Sequence, residues 1–507
     1  MRPAALLRLA LAGTRTDSVR VLLTALSAAL ATLAALAALT VLAIPKPAGD
    51  AWAQSEQYRN ALLREPGLRG GTAFALLLLC VPVLALAGQC ARLGAPARDR
   101  RLAALRLAGA TPGQVTRLAM LETGVASLLG TLAALAGYLG GRELFDRPDA
   151  RGQLALPTDV LPSPWSMAAV VLGLPLVAAL ATAVMLRRVT TSPLGVTRKA
   201  NRERGPRPWA GVLIGIGVLA FAVGGSIIRY DRSPDGPPVG TLLALLAGGG
   251  LTAMIGVVTG TGWISHTTGR LLRRHARRPA ALLAAGRLTA DPWAGSRTFA
   301  ALLAALIFGA GAAALRANFA LQDQLTREQN RLVGVDEGSD PFYLATMDLV
   351  DLAVAVAVAI AATGLLVAVV EGIVARRRAY AALVATGVPR GTLARSIAWQ
   401  SLLPAIPSIL LALAVGTFLS RGLFGEVNQS GTAHEVCDAS AALCGDPATR
   451  PQYTRIVTSP GVSRAPEVPW EQLALLGAGA LAAVLVTVGV GLLFLRASTA
   501  VEELRTA

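Results

Sequence analysis

Lysine is nearly absent. Lys46 and Lys199 are the only two in 507 residues, and neither follows a glycine. A G-x-x-x-x-G-K-[ST] phosphate loop is thereby excluded, so any ATP that drives this chain is bound by another one. Histidine is almost as scarce: His266, His275 and His434 are scattered, and no Ser/His/Asp set or paired carboxylate accompanies them. Catalysis, a metal site and a cofactor site are therefore not expected in this chain. Charged residues make up only 15% of the sequence against 54% hydrophobic residues, which excludes an ordinary soluble domain.

What is abundant is apolar sequence in long runs. Stretches sufficient to cross a bilayer of about 30 Å occur near 21–44, 71–91, 118–141, 166–186, 209–228, 239–264, 298–315, 346–374, 399–420 and 472–495. The first run is too long for a signal-peptide core and reads as a retained span. The expected fold is an all-α integral membrane protein with ten transmembrane helices and short extracellular loops.

The net charge of +17 would point to nucleic acid in a soluble protein, but here the arginines cluster between apolar runs. With the N-terminus inside, the cytosolic segments hold 31 of the 47 Arg and Lys residues and only 8 of the 30 acidic ones. The positive-inside rule accounts for that bias, so membrane lipids rather than nucleic acid are the expected surroundings and both termini are expected in the cytosol.

The chain also repeats itself. A shift of 278 residues lays Arg98, Arg100, Ala103, Ala104, Leu105, Gly109, Gly113 and Arg117 on Arg376, Arg378, Ala381, Ala382, Leu383, Gly387, Gly391 and Arg395. A shift of 279 lays Gly137, Arg142, Leu144 and Phe145 on Gly416, Arg421, Leu423 and Phe424. Each repeat holds four spans, and two linking spans return the chain to the cytosol, so the repeats run parallel. The expected organisation is an interfacial helix at 1–20, a first four-helix unit at 21–187, a two-span linker at 188–297, a second unit at 298–496 with an extracellular loop at 421–471, and a tail at 497–507.

The repeated stretch has the grammar of a stiff turn. Gly109 is suited to a left-handed residue at a helix end. Thr111 can then cap the next helix, with Pro112 at its first position and Gln114 completing a capping box. Arg98, Arg101 and Arg106 point to different sides of the preceding helix, which suits a helix meeting water or an acidic partner. Ordinary charge anchoring explains the arginines equally well, but it does not require the glycines or Pro112 and Pro389.

Arg98 to Glu122 resembles the signature of the FtsX-like permeases, the membrane subunits of MacB-type ABC transporters, in which a basic cytosolic helix, a Gly-Ala turn and a new helix join the second and third spans. The second copy departs from it, with Gln400 in place of Glu122 and Val388-Pro389 in place of Ala110-Thr111. The ten-span layout is similar to the bacitracin-resistance type, although the large extracellular domain of those permeases between spans seven and eight is replaced here by a short connection near 316–345.

The resemblance implies a cytosolic ABC ATPase, in two copies carrying ATP and Mg, docked on elbows that comprise Arg98, Arg101, Arg106, Gly109, Thr111, Pro112, Gly113, Arg117, Arg376, Arg378, Gly387, Pro389, Gly391 and Arg395. It also implies a bacterial plasma membrane location and export or extraction of a substrate at the outer face. Two alternatives stay open: a non-transporting regulator that relays ATPase cycles to an extracellular or sensor partner, and an ion-coupled exporter. Cys437 and Cys444 are spaced for a disulfide in an oxidising compartment. Asp348 and Asp351, one turn apart, either line an outer vestibule or are simply solvated at the interface.

Overall fold

A computed structural model describes residues 15–47, 54–78, 107–190, 208–230, 239–333 and 342–498, with a few single positions omitted from the last stretch and a few added between the others. Among the described residues, nine helices are long and apolar enough to cross a membrane. The expected second span, 71–91, begins in a described helix and continues outside the described residues. The fold is that of an all-α, multi-pass membrane protein.

The first four-helix unit contains α1 (Arg15–Ala43), α3 (Pro66–Leu78), α4 (Pro112–Phe145) and α5 (Pro164–Thr190), with the short α2 (Ala61–Arg64) at one end. Helix α1 packs against α3, α4 and α5. Its crossing with α4 is close because residue 130 is glycine: a Cβ there would stand 2.0 Å from the Ala25 carbonyl oxygen. Small residues at such crossings let backbones approach where lipid supplies no hydrophobic drive.

At the end of this unit away from the 98–117 elbow, two loops knit together. Tyr58 is fully buried and its hydroxyl donates to the Asp159 carboxylate at 2.7 Å. Buried Arg69 donates to the carbonyls of Ile44, Pro45 and Leu63 and to Ser55 Oγ, so one guanidinium ties off the end of α1. Cations suit a helix C-terminus, whose last carbonyls lack intrahelical partners. Burial, and then the Asp159 contact, push the Tyr58 hydroxyl up to about 12, while burial lowers the Arg69 guanidinium from its ordinary value.

The linking pair is α6 (Trp209–Tyr230) and α7 (Val239–His275). They cross at Gly217 and Gly249, where added Cβ atoms would meet Ala253 N at 2.3 Å and Gly217 O at 2.8 Å. This pair docks on the second unit, with α6 against α12 (Arg390–Phe424) and α7 against both α12 and α9 (Trp293–Val333). A helix between them, α8 (Pro279–Ala290), lies along α7 and α12.

The second unit joins α9 and α12 to α10 (Phe342–Ala375) and α14 (Trp470–Ser498) around a core that includes Leu303, Leu306, Leu365, Ala412 and Val484. The first unit meets the second where α2 lies against α10. Leucines such as Leu172 and Leu176 on α5 and Leu352 on α10 are exposed, as side chains that face lipid would be.

Two expectations need correction. The seventh span does not give way to a loop at 316: α9 runs 41 residues to Val333, about 61 Å at 1.5 Å per residue. The polar sequence beyond 316 stays helical because Asp323–Arg327 and Gln324–Glu328 pair one turn apart. The 421–471 segment is not plain loop either. Strands β1 (Val427–Gln429) and β4 (Val462–Arg464) pair antiparallel, as do β2 (Ala433–Cys437) and β3 (Thr454–Thr458), with the short α13 (Arg450–Tyr453) leading into β3. This small lobe leans on the extended end of α9 through Gln329 to Ser430 O, Gln429 to Thr326 Oγ1 and Arg464 to Glu328.

Candidate functional site

The first elbow is built from local sequence. Gly109 has φ of 91°, the left-handed region that favours glycine. Thr111 then caps α4: its Oγ1 accepts from Gln114 N at 3.4 Å, and Gln114 Oε1 accepts from Thr111 N at 3.1 Å. Pro112 occupies the first helical position, where its missing N–H costs nothing. Thr111, Pro112, Gly113 and Arg117 are exposed, while Val115, Leu118 and Ala119 are buried, so α4 turns one face outward from its first turn. Leu107 stands 91% exposed just ahead of the turn. Arg98, Arg101 and Arg106 lie outside the described residues.

The second elbow reaches the same turn by different capping. Helix α10 breaks at Arg376 and restarts as α11 (Arg377–Ala385). Gly387 has φ of 90°, Val388 N donates to Leu383 O, and Gly387 N donates to Val384 O, both at 3.0 Å. This pair of bonds is a Schellman closure, and Leu383 and Val388 supply its usual apolar contact within one cluster. Pro389 is the N-cap of α12, the position Thr111 holds in the first copy, and no side chain caps there. Arg376, Gly387, Pro389, Gly391 and Arg395 are exposed; Arg378 is in α11.

Behind this elbow sits a brace that sequence reasoning missed. Buried Tyr380, Leu393, Ile397 and Ile373 pack with Leu283 of α8 and Leu492 of α14. Arg287 of α8 stacks over the Tyr380 ring at 4.6 Å and donates to its hydroxyl. The partners are 93 residues apart, so only the lone aromatic in an otherwise basic and aliphatic helix hinted at the contact.

Asp348 and Asp351 are brought together, and Arg316 of α9 lies between them at 2.8 and 2.7 Å. The Phe319 and Tyr343 rings stack beside this clamp at 4.8 Å. The pair thus fastens α10 to the extended part of α9, a role not foreseen because Arg316 is remote in sequence. Cys437 and Cys444 are joined by a disulfide within the strand-bearing lobe.

The arginines matched by the repeat also do matching work. Arg142, at the end of α4, donates to the carbonyls of Thr158 and Val160, and Arg421, at the end of α12, donates to Pro466 O at 2.8 Å. Each holds down the connection that leads into the fourth helix of its unit.

Long apolar helices, two of them opening on matched glycine elbows, define a permease-type multi-pass membrane protein. Residues 70–194 and 352–500, more than half of the sequence, match the family model described as FtsX-like permease C-terminal, and the chain belongs to the FtsX-like permease family. Proteins of this family generally partner with an ABC ATPase. No curated protein and no solved structure matches the chain.

Proposed function

We propose that the chain is the permease subunit of a MacB-type ABC transporter with ten spans, and that its two elbows receive a pair of separate ATPase subunits that bind ATP and Mg. It has no enzymatic activity of its own. Closure of the ATPases on nucleotide pushes on the elbows, the long helices α4 and α12 carry the motion, and the far ends act on a substrate at the outer face of a bacterial plasma membrane. Both termini then lie in the cytosol.

The matched elbows carry this reading: left-handed glycines at 109 and 387 end one helix and start another that crosses the membrane. A turn fixed by backbone bonds and caps transmits displacement, whereas a loose loop would absorb it. Replacing both glycines with valine tests the reading. A β-branched residue in the left-handed region costs about 1–2 kcal/mol, so the turns re-form poorly. With the cognate ATPase co-expressed, both co-purification and permease-stimulated hydrolysis should fall about tenfold. Unchanged values for both would reject the docking.

A second reading is favoured by the disulfide-tied lobe at the tip of α9. In it the lobe relays ATPase cycles to an extracellular partner and nothing is transported. Replacing 426–465 with a short linker would then abolish the partner's response while ATPase coupling persists.

A further inference from the structure

Helix α11 is a separate nine-residue piece between the break at Arg376 and the turn at Gly387, so its orientation sets that of the second elbow. It rests on apolar contacts, with Tyr380, Ile373, Leu393 and Ile397 buried together. Such contacts hold a helix close but fix its rotation loosely, because burial and dispersion have little direction. Direction comes from Arg287. Its guanidinium lies over the Tyr380 ring at 4.6 Å and donates to the hydroxyl, two contacts that together fix where the ring can stand.

Arg287 is itself firmly placed. Helix α8 buries Ala280, Ala284, Ala285 and Leu288. It lies along α7 and α12, and it approaches α7 so closely that a Cβ at Gly269 would stand 2.8 Å from that of Leu288. The contact therefore runs from the elbow through α8 to the linking pair.

The two members of the pair also change together between the copies. Arg278-Pro-Ala-Ala-Leu-Leu283, which leads into α8, repeats Arg2-Pro-Ala-Ala-Leu-Leu7 at a shift of 276 residues. In that register Arg287 stands against Leu11, and in the 278-residue register of the elbows Tyr380 stands against Leu102. Leu11 and Leu102 lie outside the described residues, so the comparison is one of sequence. A polar pair in one copy and two leucines in the other suit side chains that work as a unit, since either polar member alone would lose its partner.

We infer that Arg287 is the positioning residue of the second elbow: through Tyr380 it fixes the orientation of α11 and ties it to the linking pair, where the first copy carries only leucines. That this orientation governs ATPase coupling rests on the elbow reading; the restraint itself does not.

Amide exchange on the full chain alone, and hydrolysis with the cognate ATPase co-expressed, test this together. Arg287→Gln should exchange about tenfold faster over Tyr380–Val384, the scale of a cation–π contact and a hydrogen bond lost together. The α9 core around Leu303 and Leu306 should stay as protected as in the wild type. Co-purified ATPase should be unchanged while stimulated hydrolysis falls severalfold. Arg287→Lys, which keeps a cation and N–H donors beside the ring, should recover most of both losses.

Wild-type exchange over α11 in Arg287→Gln would overturn the proposal. So would failure of lysine to restore protection, which would assign the loss to bulk rather than charge. Faster exchange with undiminished hydrolysis would overturn the coupling role, and hydrolysis falling only in proportion to co-purification would move Arg287 to the docking surface. A wild-type chain that stimulates no ATPase would reject the elbow reading, and the exchange measurement would still decide whether Arg287 holds α11.

Discussion

Gly109 and Gly387 differ from the other glycines of the helical bundle in what they permit. Their added Cβ atoms would meet nothing within 4 Å, so backbone conformation and not space requires them. Gly387→Ala should therefore cost about 1 kcal/mol, seen as faster amide exchange at Val388, whose N–H closes the turn on Leu383. Gly130 is the opposite case: its Cβ would enter the Ala25 backbone, and Gly130→Ala should separate α1 from α4 and lower the melting temperature.

Residue chemistry at the far end of the first unit makes a pH prediction. Tyr58 holds its proton more tightly in the folded protein than in the unfolded chain, with its folded value near 12. Its contribution to stability is complete below its unfolded value near 10 and is lost as pH rises through about 12. Tyr58→Phe should remove that alkaline step from a melting-temperature profile. Asp149 acts in the other direction. Backbone N–H donors from Gln153 and Arg151 hold its carboxyl below the ordinary range, so its contribution is present above the unfolded value and fades with acid. The Thr111–Gln114 box was legible in sequence because its members are three residues apart. The Tyr58–Asp159 pair was not, because 101 residues separate its members.

At the scale of elements, hydrophobic runs marked the membrane segments well, since the bilayer imposes length and composition together. They did not mark where a helix stops. Residues 316–333 read as a polar connection, yet their pairs at i and i+4 keep α9 helical past the apolar run. Hydrogen exchange should show protection continuing to about Leu325, which is buried, and decaying toward Val333. The clamp below it can be weighed separately. Arg316→Gln leaves two carboxylates without their cation, but both are substantially exposed. Solvent screens such pairs, so a loss of only about 1 kcal/mol is expected in thermal unfolding. The strands at 427–464 escaped sequence reading because they are three to five residues long and depend on pairing across the lobe.

On the scale of the whole molecule, and among the described residues, the two four-helix units meet at α2 and α10, and the linking pair α6 and α7 packs on the second unit. The repeat in sequence marked two matching turns and aligned Arg142 with Arg421, but it gave no sign of the connections that these arginines hold down. It did not foretell the unequal finish of the copies, one turn closed by a capping box and the other by a Schellman pair with Tyr380 and Arg287 behind it. Where the first copy has Glu122, the second has Gln400, on the wall of a half-open pocket behind the second elbow.

Photo-cross-linking tests the paired-elbow account most directly. A photoreactive amino acid at Gly113 or Gly391, both exposed with open space around an added Cβ, should capture the cognate ATPase from either position. The same probe at Ser463 in the lobe, at the opposite end of the molecule, should capture none. Capture from Ser463, or from neither elbow in a complex that still hydrolyses ATP, would contradict the assignment of these turns as the coupling contacts.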